Sequence, residues 1–194
     1  MPDTGAPWNI PFLDGTELVR AYPDFSEDLA DAVADGLSAA GGLVAVKSAT
    51  KTDTFSASVT GGDNVAVTDL SITHALADAG NKLIISAFFG TSGNSGGSGR
   101  VGIGIHDGSG LIAIGDADGS RSRVTAGTRG VDEIALSIMY VHSPGDLTER
   151  TYTVRAILCD TATRTVFINK NAGDANSLFN MRTASGFVIQ EVKV

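Results

Sequence analysis

"TYTVRAI", Thr151 to Ile157, decides the fold. Side chains of an extended chain alternate between faces, so Tyr152, Val154 and Ala156 fall on one side and Thr151, Thr153 and Arg155 on the other. One apolar and one polar face in seven residues is the pattern of a strand buried on one side. Working outward, runs of the same kind, stopped by turn residues, occur at 43–47, 53–59, 64–73, 82–89, 100–106, 111–114, 121–126, 132–141, 150–159, 164–169 and 186–193. A parallel sheet would need crossover helices between them, and the spacing leaves no room for any. The sequence therefore predicts an all-β fold, an antiparallel β-sandwich (jelly roll), preceded by an extended N-terminal arm and one short α-helix. Residues 1–41 form the arm and helix, and 42–194 the head.

Composition agrees. The chain has 194 residues, enough for one domain with a real core plus an appendage. Glycine is abundant at 24 residues and aromatic content is 6%, which suits short strands and turns more than helices. No apolar run approaches the roughly 20 residues of a membrane span, so no membrane insertion is expected. Met1-Pro2-Asp3-Thr4 has neither a basic nor an apolar stretch of signal-peptide type, so the chain is expected to stay in the cytoplasm or leave it by a route other than secretion. Cys159 is the single cysteine, and no intrachain disulfide framework is possible.

The net charge of −8 is uneven. Residues 1–41 hold eight acids against Arg20, a charge of −7, and the remaining residues are close to neutral at −1. With no basic stripe to follow a phosphate backbone, nucleic acid is an unsuitable partner. The acidic segment suits a basic protein surface instead.

That segment has its own pattern. Pro2, Pro7, Pro11 and Pro23 fix the backbone and withhold donors, so the stretch is extended. Trp8, Ile10, Phe12 and Tyr22 lie between them, too apolar for a solvated tail, and need a surface on their own domain or on another protein. Ser26 then caps a helix with Glu27 and Asp28 at its positive end, and Phe25, Leu29, Val33 and Leu37 recur at spacing four before Gly41-Gly42 stops it. About 14 residues make a helix marginal alone, so its apolar stripe must be buried on something.

Several stretches imitate active sites. Gly93-Asn94-Ser95-Gly96-Gly97 is close to the G-D-S-G-G of chymotrypsin-like proteases, but the only earlier histidine, His74, lies too near in sequence for that fold, and the Gly/Ser-rich surroundings read as a loop. Gly102-Ile103-Gly104 lies inside a strand, where glycine permits close sheet approach or a bulge rather than cofactor binding. His74, His106 and His142 lack metal-site spacing, although each could meet its equivalents on a three-fold axis. "GDADGSRSR", Gly115 to Arg123, begins like a calcium loop, with Asp116 and Asp118 alternating. Counted from Asp116, glycine is misplaced, the closing carboxylate is missing, and Arg121 and Arg123 oppose a cation. It reads as a strand end and turn leading into a strand from Arg121 to Ala126. No catalytic residue, metal site or cofactor is expected.

These blocks carry a resemblance. "KSATKTDTFSASVTGGDNVAVTDLSITHALADAGNKLIISAFFG", "LIAIGDADGSRSRVTAG", "HSPGDLTERTYTVRA", "VFINK" and "TASGFVIQEVKV" resemble, in order and spacing over residues 47–194, a module of bacteriophage tail fibres and other virion surface proteins. That module is similar to trimeric jelly rolls of the tumour-necrosis-factor type. "PWNIPFLDGTELVRAYPDFSEDLADAVADGL" resembles a short leader of phage tail and fibre proteins. Two departures stand out: His142 replaces the usual Asp before Ser143-Pro144, and Asp118 replaces a small residue.

The resemblance implies a virion structural protein, assembled in the bacterial cytoplasm and not an enzyme. It would be a homotrimeric short tail fibre or receptor-binding protein, docked on a tail hub or capsid protein through Trp8, Ile10, Phe12, Tyr22, Leu29, Val33 and Leu37. Its host-facing loops would be Gly90–Arg100, with Asn94, Ser95 and Arg100, and Asn171–Asn180, with Asn176 and Phe179, bound to a cell-surface glycan or protein. The rival expectation is a capsid cement or head-decoration protein. A hydrolase is a third, for which no motif speaks.

Overall fold

The computed structural model of the chain describes residues 31–33, 42–96, 99–128, 134–178 and 180–194. The strands among them are β1 (Leu43–Lys51), β2 (Phe55–Val59), β3 (Asn64–His74), β4 (Lys82–Asn94), β5 (Arg100–His106), β6 (Leu111–Ile112), β7 (Ala126–Gly127), β8 (Ile134–His142), β9 (Arg150–Cys159), β10 (Arg164–Ile168) and β11 (Ser185–Val192).

"TYTVRAI" lies inside β9, which pairs antiparallel with β3 on one side and β5 on the other. The short β6 and β7 extend this sheet beyond β5. The second sheet runs β1-β11-β4, with β8 on the other edge of β4, while the last residues of β4 pair with β10, which pairs with β2. Every pairing is antiparallel, and the chain steps from sheet to sheet between β3, β4 and β5 and again between β8, β9 and β10. This is an all-β sandwich with jelly-roll order.

Alternation builds the core. Tyr152, Val154, Ala156 and Leu158 of β9 join Val101, Ile103 and Ile105 of β5 in one buried cluster. From the other sheet come Leu83, Ile85, Ala87 and Phe89 of β4, Ile138 of β8, and Phe187 and Ile189 of β11. Burial pushes the Tyr152 phenol up to about 12, so it stays neutral in the core.

Two expectations need correction. The strand expected at 82–89 runs on to Asn94, because Gly90 to Gly93 are small enough for other segments to press against them. A Cβ at Gly90 would lie 2.3 Å from the Ala184 carbonyl oxygen, so the Gly/Ser stretch is packing rather than loop at this point. The strand expected at 121–126 shrinks to Ala126–Gly127. Residues 115–124 instead take an irregular path across β5, with Val124 over Gly102, where a Cβ would lie 2.3 Å from its Cγ1. The close sheet approach or bulge expected at Gly102 is instead the close approach of this irregular segment.

The two sheets share a polarity. At one end lie the start of β1 with Gly42, the end of β11, the start of β4 and, in the other sheet, the end of β3; there Gly42 accepts from the Lys193 amide and Leu43 pairs with Val192. His74 of β3 reaches Glu191 of β11 across the sandwich at the same end. At the opposite end lie Asn94 of β4, Arg100 of β5 and Cys159 of β9. Gly42 and Leu43 therefore lie at one end of the head, and the end of β4 and the start of β5 at the other.

Candidate binding surfaces

The anchor residues Trp8, Ile10, Phe12, Tyr22, Leu29 and Leu37, and Phe179 of the second loop, lie outside the described residues. Of the expected helix, Asp31 to Val33 are described and are helical, with Val33 40% exposed.

The host-facing candidates divide. Asn94 is 0% exposed, buried in β4 opposite Val166, with its Oδ1 accepting the Gly96 amide; it is not a solvent-facing loop residue. Ser95 and Arg100 are exposed at the end of the head opposite Leu43. Asn176 is exposed on a loop braced by its own side chains: the Asn171 Oδ1 accepts the Asp174 amide at 2.6 Å, and the Asn180 Nδ2 donates to the Ala175 carbonyl. Asp174 joins Lys170 and Arg182 in ion pairs, and Leu178 is fully exposed beside Asn176.

Among the described residues Ser95 has no protease-like partner. Its Oγ accepts the Thr165 amide, while His74 pairs with Glu191 near Leu83, twelve residues back along β4, or roughly 40 Å at about 3.3 Å per residue. His106 accepts the Gly108 amide through Nδ1. His142 packs between Tyr140 and Tyr152, and burial, reinforced by Arg150 and opposed by Asp107, holds its pKa below the usual imidazole value. In the "GDADGSRSR" stretch, Arg121 pairs with Asp118 and Arg123 donates to the Gly115 carbonyl at 2.7 Å, so the arginines engage the turn itself. Among the described residues no three His, Cys, Asp or Glu side chains come together as metal ligands.

The outer face of β1-β11-β4-β8 was not anticipated. Register aligns Val46, Gln190, Ile84 and Val141 in one row across the four strands, and Ser48, Val188, Ser86 and Met139 in the next. Thr50, Gly186, Phe88 and Ser137 follow in a third. These twelve positions carry no charge. Met139 is 77% exposed, and Val46, Phe88 and Val141 are about half exposed. The alternation of β4 and β8 is apolar on both faces, and that was the available signal.

No protein-family model matches the chain, and no curated protein matches it.

Proposed function

We propose that this chain is a bacteriophage virion surface protein, a homotrimeric short tail fibre or receptor-binding protein that docks by residues 1–41 and binds the host surface with the opposite end of its head. What carries the reading is the polarity of the sandwich: Leu43, which follows the acidic segment 1–41 in sequence, lies at one end, while exposed Ser95 and Arg100 lie at the far end. A rigid sandwich with irregular segments at one end can vary those segments without disturbing its core. The uncharged outer face of β1-β11-β4-β8 supports self-association, since identical copies can meet there without like-charge repulsion. The resemblance of residues 1–41 and 47–194 to phage leaders and fibre heads supplies the setting.

One observation favours a capsid cement protein as the second reading. The head begins at Leu43, paired with Val192, directly after residues 1–41 in sequence, and a head that begins so close to its anchoring segment suits clamping of a shell. Antibody raised against the purified chain and applied to intact phage particles that carry this coding sequence tests both. Labelling confined to the tail tip is expected, labelling over the capsid would establish the cement reading, and absence of the chain from particles would overturn both.

A further inference from the structure

A recess of about 760 Å³ opens at the end of the head opposite Leu43, lined by Arg100, Arg121, Ser122, Val124, Gly127, Thr128 and Cys159. Arg100 begins β5 and pairs with Cys159 at the end of β9; the path of residues 121–124 over Gly102 forms the other wall. Two guanidinium groups line it, and no acid does among the described lining residues. Arg100 makes no ion pair among the described residues, and Arg121 is held only by Asp118 in an exposed pair, which solvent makes weak. Thr128 is 4% exposed and its hydroxyl has no hydrogen-bond partner among the described residues, an arrangement that costs free energy until an acceptor or donor arrives.

We propose that this recess binds an oxyanion carried on a sugar, a phosphate ester or a uronate carboxylate of an acidic surface glycan. The guanidinium groups supply planar, charged donors for either anion. The volume exceeds that of a bare ion and falls within the range of small-molecule sites. No aromatic ring is among the described lining residues, so there is no platform for a nucleobase, whereas Ser122 and Thr128 hydroxyls and the Val124 side chain suit the hydroxyls and C–H face of a sugar. The proposal rests on the host-adhesion reading only for the source of the ligand.

Cys159 provides the readout, because it is the only thiol of the chain and its side chain meets Ser122 within the recess. The full chain is titrated with inorganic phosphate, with glucuronate and with glucose, by calorimetry and by the rate of Cys159 alkylation with a neutral maleimide. Saturable binding of phosphate or glucuronate, with slower alkylation and no effect of glucose, is expected, and the tighter anion assigns the ligand. Arg100→Gln or Arg121→Gln should weaken binding about tenfold each, with melting unchanged because both side chains are exposed. Failure of both anions to bind, or equal binding by the double variant, overturns the site. Anion binding without attachment of the chain to host cells overturns the adhesion reading and leaves the site standing; attachment undiminished in the double variant overturns the role of the recess in adhesion.

Discussion

Asn169 directly follows β10 at a φ of 60°, a left-handed conformation that asparagine tolerates better than most residues. Its Nδ2 donates to the carbonyls of Lys51 and Asp53, each at 3.0 Å, and its Oδ1 accepts from Ser185 Oγ at 2.6 Å, so one buried amide joins β10, β1 and β11. Asn169→Ala leaves those groups unpaired and places a Cβ-bearing residue without compensating bonds in a strained conformation. Urea unfolding should show a loss of about 2–4 kcal/mol. Glu191 is the second such residue. Burial pushes its carboxyl up, but bonds from Asn81 Nδ2 at 2.6 Å, the Ala77 amide at 2.8 Å and His74 Nε2 at 2.9 Å outweigh that and hold it below the ordinary carboxylate value. A depressed carboxylate contributes stability that is present above its unfolded value and is lost as pH falls through that range toward the folded one. Glu191→Gln should therefore lower stability at neutral pH and flatten its decline below about pH 5; an unchanged acid limb in urea melts would refute the assignment. Neither role was legible in sequence: "VFINK" contains the asparagine and "TASGFVIQEVKV" the glutamate, but their partners lie far away along the chain.

At the scale of elements, alternation was the reliable signal. "TYTVRAI" placed β9 correctly because one face of that strand is core and the other is polar, and the expected bounds of β5 and β9 match those observed. Glycine misled where its use was packing. Gly90 belongs to β4, pressed against Ala184 and Thr183, yet its Gly/Ser setting resembles a flexible connection. Gly90→Ala should destabilise the head by about 1–3 kcal/mol through overpacking, whereas Ser95→Ala, two positions beyond the buried Gly93, should change the melting midpoint little because its Oγ bond to the Thr165 amide is exposed. A melting midpoint equally insensitive to both would return residues 90–94 to a loop. The stretch 121–126 failed in the opposite way. Val124 and Ala126 suggested alternation, but Gly115 and Gly119 let the chain turn before it, Gly119 with a φ of 55°, and only Ala126–Gly127 pair with β5. The recess that results could not be read from sequence, since it depends on where that irregular path crosses Gly102.

For the whole molecule, the weight falls on the uncharged face of β1-β11-β4-β8. Four strands about 4.8 Å apart and three rows about 6.7 Å apart give a patch of roughly 400 Å², against about 800 Å² per partner in an ordinary stable interface. The face alone therefore supports weak association, and residues outside it must add to a durable trimer. The arm is the available addition, but it carries −7 in each copy, so the arms of three copies repel one another until a basic partner or salt screens them. Two consequences follow from that balance. Sedimentation of the full chain should show three protomers per particle, held more firmly as salt is raised, whereas attraction to a basic socket weakens under the same change. The fragment 42–194 should keep its fold, because every described core residue lies between Phe55 and Ile189, but should dissociate more readily on dilution. Met139→Glu, which puts a charge at the most exposed apolar position of the face, should yield a folded monomer in either form. A trimer that survives Met139→Glu would move the interface elsewhere on the head.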